Sequence, residues 1–384
     1  MSKINIRDFH NENEDGAPDI VGVSTFSSTA YFVPTKGTTA QRPSDHVEVG
    51  SIRFNTDTSN LEFYRGDTLG WSQFELIDPE LGGGTGSNTG LGTRGLYGGG
   101  TTPSVATNRI GFITLSTLGN GQDFGDLTVA RFQLGGHGSR TRGIFNMGEV
   151  TGSPNFTNTI DFVTIASLGN ASDFGDGLGQ KMKASATGSN TRAIFQGGYV
   201  QNVVSYVNPA SEGNAIDFGD LTENSERSSG LSSSTRAVRL GGRGPTSAYQ
   251  DTIDFATIST LGNYTDFGNL STAAADGSAC SNSTRGIYFS GYSGSNLNTI
   301  EYIQIATAGN AVDFGDQLSA KGYGTAVSSP TRAVNMGGFN IPSTASNVIE
   351  YVEISTLGNA VDFGDADSGT IQSAGGVSNG HGGL

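Results

Sequence analysis

One cysteine, Cys280, stands in a chain of 384 residues. No disulfide can therefore close within the chain, and no all-cysteine metal site can be built. Positive charge is also scarce: 21 Lys and Arg face 36 Asp and Glu, for a formal charge of −15. A nucleic-acid grip needs clustered Lys and Arg, and the same shortage argues against docking on an anionic membrane. No stretch approaches the roughly 18 apolar residues of a membrane-spanning helix, so no membrane insertion is expected. Residues 1–16 are polar and acidic and lack the apolar core of a signal peptide, which predicts a soluble product made in the cytoplasm.

Glycine is what the chain has in excess, with 59 residues. That much backbone freedom disfavours long helices. There is no Gly-X-Y period, and the apolar fraction is ordinary, so short strands and tight turns are predicted instead of a collagen helix or a disordered chain.

The first ninety or so residues differ from the rest. Residues 1–30 are polar and aperiodic, including Asn11-Glu12-Asn13-Glu14-Asp15, and read as an extended anchoring arm ordered only against a partner. Residues 31–81 form a small β-hairpin module. Ser51-Ile52-Arg53-Phe54 and Leu61-Glu62-Phe63-Tyr64-Arg65 alternate apolar with polar across a turn-rich connector, and a third strand is expected over 71–77. So few residues bury little core, so the hairpins are expected to pack on a neighbouring subunit or on the domain that follows. Residues 82–92, Gly-Gly-Gly-Thr-Gly-Ser-Asn-Thr-Gly-Leu-Gly, read as a flexible linker.

Two phrases in the module are distinctive: Gly37-Thr38-Thr39-Ala40-Gln41-Arg42-Pro43, and the stretch from Gly50 to Gly66 that holds Asn55-Thr56-Asp57-Thr58-Ser59-Asn60. With the Trp71 strand, they resemble a small module of tailed-phage virion proteins, tail fibres and appendages above all. The resemblance covers about residues 33–77 and implies a setting, the virion, without implying a chemistry. A generic hairpin cap on the next domain is the plainer reading.

From Thr93 onward the chain repeats. Thr-Arg pairs begin at Thr93, Thr141, Thr191, Thr235, Thr284 and Thr331, and Asp-Phe-Gly begins at Asp123, Asp173, Asp217, Asp266, Asp313 and Asp362. From each Asp-Phe-Gly to the next Thr-Arg the step is 18 residues in all five instances (123 to 141, 173 to 191, 217 to 235, 266 to 284, 313 to 331). The step from Thr-Arg to Asp-Phe-Gly varies. The constant part predicts a rigid passage between units and the variable part a surface loop. Each unit contains four plausible strands, and six such units suit a ring, which also removes exposed sheet edges. The first unit lacks a preceding strand and the C-terminus supplies one, at about 370–379. The expected fold is therefore all-β: a six-bladed β-propeller over 93–384 closed by the C-terminal strand. A right-handed solenoid is the competing architecture.

The units resemble kelch repeats, the blade type also found in galactose oxidase. The resemblance rests on strands ending in Gly99-Gly100, Gly197-Gly198, Gly241-Gly242 and Gly337-Gly338, followed by strands of the Ile-Asp-Phe type. Where kelch blades carry a Trp, this chain has Phe124, Phe174, Phe218, Phe267, Phe314 and Phe363. The third repeat is the shortest and departs most.

Nothing in the repeats reads as catalytic. Six periodic Asp-Phe-Gly copies without the other kinase signatures are a coincidence of letters. Gly90-Leu91-Gly92-Thr93-Arg94-Gly95 spells a dinucleotide fingerprint but opens a strand where a helix is needed. The only histidines of the repeats, His137 and His381, lie in glycine-rich phrases, so a copper site is not expected. No cofactor and no metal are expected, although the recurrent Asp126, Asp176, Asp220, Asp316 and Asp365 leave calcium open. Otherwise these carboxylates accept turn N–H groups or pair with the recurrent arginines. Those arginines, Arg94, Arg142, Arg192, Arg236, Arg285 and Arg332, form either an anion-holding ring or one structural bridge per unit to a carboxylate.

The candidate ligand-binding residues are the aromatics of the variable loops: Phe156, Tyr199, Tyr249, Tyr292 and Phe339. Irregular loops on a rigid scaffold are where recognition usually sits, though aromatics also tuck beneath their own loops. The function expected is that of a phage virion structural protein without enzymatic activity. A tail fibre or appendage would hold other virion proteins through residues 1–80 and host-surface glycan or protein through the loops. A head, neck or tail decoration protein is the alternative. A glycan-cleaving enzyme would need an asymmetric carboxylate pair that the repeats do not offer. A homotrimer is suggested by analogy with fibre proteins alone.

Overall fold

The computed structural model describes residues 34–43, 47–58, 60–73, 93–102, 105–151, 155–179, 183–340, 344–367 and 369–384. The chain divides into two compact units, Met1–Asp78 and Pro79–Leu384. The expected arm over 1–30 and linker over 82–92 lie outside the described residues. Among the described residues the structure is all-β apart from one 3-10 turn, Thr39–Gln41.

The first unit is a four-stranded sheet. Lys36–Gly37 runs parallel to Ile52–Asn55, which pairs antiparallel with Asn60–Tyr64, which pairs in turn with Trp71–Gln73. Alternation places opposite kinds of side chain on the two faces, and the buried face is the polar one. Glu62 and Asn55 are fully buried and Arg53 nearly so, while Ile52 is 52% exposed and Leu61 36%. Glu62 is held by Arg42 Nη2 at 2.5 Å and by Asn55 Nδ2 at 2.6 Å. The hydrogen bond from Arg42 holds the Glu62 carboxyl below its ordinary pKa against the opposing effect of burial. Gly37-to-Pro43 and the hairpin are thus two halves of one polar knot.

The second unit contains six four-stranded antiparallel sheets. The second sheet shows the plan: a small-residue strand Gly135–Gly138, a Thr-Arg strand Arg142–Glu149, a third strand Phe156–Thr164, and the Asp-Phe-Gly strand Ser172–Asp176. The others repeat it, with small-residue strands Ser185–Gly188, Ser229–Ser232, Ser278–Ser281 and Thr325–Ser328 in the third to sixth sheets. In the first sheet that place is taken by Gly375–Ser378, which pairs with Arg94–Gly98 from Gly375 opposite Gly98 to Ser378 opposite Gly95.

Hydrophobic residues on both faces of each sheet form six cores, one between each consecutive pair. Leu96, Ile110 and Phe124 of the first sheet pack with Phe145, Val163 and Ile165 of the second. Val334, Met336 and Phe363 of the sixth sheet pack with Tyr97, Ile113 and Leu115 of the first. The Asp-Phe-Gly phenylalanines are 2–3% exposed, a burial that stabilises by about 1.5–3 kcal/mol each. Every one meets an aromatic of the adjacent strand edge-on, as Phe174 meets Phe162 at 5.8 Å.

The two signature motifs interlock between sheets. Gly169 N–H of the second sheet donates to Phe124 O of the first at 2.9 Å, Ala171 N–H to Asp126 O at 2.8 Å, and Asp126 N–H to Asn170 Oδ1 at 3.1 Å. The outer edge of each sheet is thereby covered by the Gly-Asn turn of the next. The last junction joins sixth to first, with Gly119 N–H donating to Phe363 O at 3.0 Å and Asp365 N–H to Asn120 Oδ1 at 3.0 Å. The recurrent aspartates were expected to accept turn N–H groups or to meet arginines. Instead it is their backbone N–H that is engaged, by an asparagine side chain.

The recurrent arginines also act between sheets. Each lies over the aromatic of its own third strand, as Arg236 lies 4.5 Å from the Phe255 centroid. Each donates to a backbone carbonyl of the next sheet: Arg94 to Ile165 O, Arg142 to Pro209 O, Arg192 to Ile258 O, Arg236 to Ile305 O, Arg285 to Ile354 O and Arg332 to Leu115 O. A carboxylate bridge per repeat is therefore not the common theme; among the described residues only Arg142–Glu212 and Arg332–Glu353 add one. A carbonyl satisfies an aromatic-stacked guanidinium without a second desolvated charge.

Candidate functional site

The six small-residue strands lie against one another, each touching the next and Gly375–Ser378 touching Gly135–Gly138. Glycine is required at two of these contacts: a Cβ on Gly136 would stand 2.4 Å from Gly376 O, and one on Gly376 2.6 Å from Ala326 O. At their C-terminal ends, serine hydroxyls bridge neighbours in series. Ser378 donates to Ser328 O, Ser328 to Ser281 O, Ser281 to Ser232 O and Ser232 to Gly188 O. Glycine occupies the two remaining equivalent positions, Gly138 and Gly188, and two histidines bond carbonyls beside them. His137 Nε2 lies 3.0 Å from Ser189 O and His381 Nε2 2.6 Å from Gly138 O.

At the N-terminal ends of the same strands, six residues adopt left-handed backbone: Gln133, Lys183, Arg227, Asp276, Tyr323 and Ser373, with φ from +53° to +62°. Their N–H and C=O groups form a closed cycle. Lys183 N–H donates to Gln133 O, Arg227 to Lys183, Asp276 to Arg227, Tyr323 to Asp276, Ser373 to Tyr323, and Gln133 back to Ser373, at 2.7–3.0 Å. A left-handed residue with a Cβ costs roughly 1–2 kcal/mol, yet none of the six is glycine or asparagine.

These side chains line a cavity of about 100 Å³. Arg227 Nη1 bonds Asp276 Oδ2 at 2.8 Å and Tyr323 Oη at 3.1 Å. Glu226 lies 3.8 Å from Lys183 Nζ and 3.6 Å from Arg227 Nε. Burial raises the Asp276 pKa above its ordinary value, with Arg227 resisting, and burial lowers that of Lys183, helped by Arg227. Burial and Asp276 together raise Tyr323. The oxygen Oε1 of Gln133 has no partner among the described residues.

The candidate aromatics lie on the same face. Tyr292 pairs by backbone with Ala275, next to Asp276, and Phe339 with Gly322, next to Tyr323. Tyr249 is paired with Arg243, which bridges to Glu226 beside Arg227, and Phe156 with Glu149, which bridges to Phe132 beside Gln133. The aromatics also meet across sheets: Phe156 with Tyr199 at 5.3 Å and Tyr249 with Tyr292 at 5.8 Å. Tyr199, at 51%, is the exposed one, and the other four are half-buried.

Sequence reasoning missed the left-handed six. Five of them follow the Asp of Asp-Phe-Gly by ten residues (123 to 133, 173 to 183, 217 to 227, 266 to 276, 313 to 323), and that offset is the one signal that marks them. Three further acids of the second unit sit in buried pairs at 2.9–3.0 Å: Asp161 with Arg131, Asp254 with Arg239 of the same sheet, and Glu350 with Lys321. No three His, Cys, Asp or Glu gather as a metal-binding group among the described residues. No protein-family model matches the chain, and no curated protein matches it either.

Proposed function

We propose that residues 93–384 form a six-bladed kelch-like propeller closed by the C-terminal strand, and that the chain is a non-enzymatic phage virion protein, a tail fibre or appendage. The ring reading rests on the cycle of six backbone hydrogen bonds, because no open array of six sheets can close one. A solenoid would leave its first and sixth sheets apart.

One observation carries the receptor-binding role: a polar cavity lined from all six sheets shares its face with the aromatic loops. Rigid scaffolds that bind usually gather a few convergent polar groups in a concave site with aromatic surface beside it. Binding without catalysis fits the one carboxylate of the cavity lining, since Asp276 is paired with Arg227. The first unit suits attachment to other virion proteins, because it turns Ile52 and Leu61 outward from a polar interior.

The test is adsorption. Purified full-length chain should block phage adsorption to susceptible cells, and Tyr199→Ala/Tyr249→Ala/Tyr292→Ala together should abolish the block while virions still assemble. Immunogold label found in the head–tail connector, with no effect of the triple variant, would move the chain to the decoration-protein reading.

A further inference from the structure

From the cavity at the left-handed six, we infer a binding pocket for one neutral sugar residue of a host-surface glycan; this rests on the appendage reading above. The first ground is the backbone. A closed hydrogen-bond cycle at φ near +60° is satisfied best by glycine, and this chain has 59 of them. Each of the six positions instead carries a polar side chain, and all six side chains differ: Gln, Lys, Arg, Asp, Tyr and Ser. Strain held at equivalent positions by unlike polar groups points to the side chains as what is needed there.

The second ground is charge. Lys183 and Arg227 meet Asp276 within the lining and Glu226 outside it, so the charges at the pocket balance. An anionic or cationic ligand would add an uncompensated charge to a half-buried site. A hydroxyl is donor and acceptor at once, and it suits a lining that offers carboxylate and amide oxygens beside ammonium and guanidinium N–H groups. A cavity of about 100 Å³ takes several hydroxyl-sized groups, each needing roughly 10–15 Å³. The edge of a single pyranose fits that room.

The test uses the full chain and saturation-transfer NMR with galactose, glucose, mannose, rhamnose and N-acetylglucosamine, against galacturonate and N-acetylneuraminate, at about 10 mM each, where millimolar affinities register. At least one neutral sugar should give signal and neither acid should. Asp276→Asn, which keeps the shape and suits left-handed backbone, and Tyr323→Phe should each weaken the binding at least tenfold. Thermal melts of both variants verify the fold. Signal from the acids alone, from no sugar, or undiminished in both variants overturns the pocket. Adsorption block by the wild-type chain that survives Asp276→Asn would keep the appendage reading while removing this site; no block by the wild type would remove the appendage reading itself.

Discussion

His137 and His381 meet edge to ring with 5.0 Å between centroids. Gly383 N–H donates to His381 Nδ1 at 3.1 Å, so the ring proton sits on Nε2 and points at Gly138 O. Burial lowers both pKa values, to about 3 for His137, where His381 adds to the effect, and to about 4 for His381. The fold therefore holds both rings neutral where an unfolded chain would take up a proton on each below its ordinary 6.5. Stability from these groups is complete above pH 6.5 and drains away as pH falls towards 4 and 3. At pH 5 the loss is about 2 kcal/mol per histidine. His381→Gln should accordingly shrink the stability difference between pH 7.5 and pH 5, read by urea melts, by about that amount. An unchanged difference would show that the ring is protonated, or solvated, in the fold.

At the scale of elements, the Asp-Phe-Gly and Gly-Asn motifs are halves of one clasp, and glycine has unequal value within it. A Cβ on Gly315 would stand 2.4 Å from Gly358 O of the next sheet, whereas one on Gly309 meets nothing within 4 Å. Gly315→Ala should cost about 2 kcal/mol or more. Gly309→Ala should be neutral or stabilise by up to about 1 kcal/mol, by restricting the unfolded chain. Equal losses on thermal or urea melts would contradict the clasp. The motifs and their 18-residue step were legible in the sequence because identical junctions need identical residues. Their partnership was not, since Phe124 and Gly169 belong to different repeats. The same distance hid the carbonyl partners of the arginines, for which a carboxylate was the expectation. The left-handed six were hidden for a different reason: their φ is imposed by the hydrogen-bond cycle, and the usual glycine or asparagine signal of such a turn is missing. In the first unit, alternation disclosed the hairpin but not which face is inward, because polar Arg42 arrives from outside the hairpin to satisfy Glu62.

At the scale of the whole second unit, closure of the proposed ring depends on residues 371–384 in two separable ways. Gly375–Ser378 supplies a strand to the first sheet, and Ser373 supplies one link of the backbone cycle. Beyond them, His381 and Gly382 bond Gly138 O and Ser281 O, which ties the tail to the second and fifth sheets. Removing 371–384 exposes Leu96 and the edge of Arg94–Gly98, and it breaks the cycle at two hydrogen bonds. Cooperative unfolding should then be lost, with apolar-dye binding in its place. Removing only 379–384 leaves strand and cycle intact, so a cooperative transition should survive at lower temperature, with the part of its acid sensitivity due to His381 gone. A peptide of residues 370–384 added to the longer truncation should restore the transition in proportion to its concentration, by mass action. Two truncations with the same cooperative melt would mean that the sheets hold together without the closing strand. The cores between successive sheets, not the junction of sixth with first, would then be what sustains the fold.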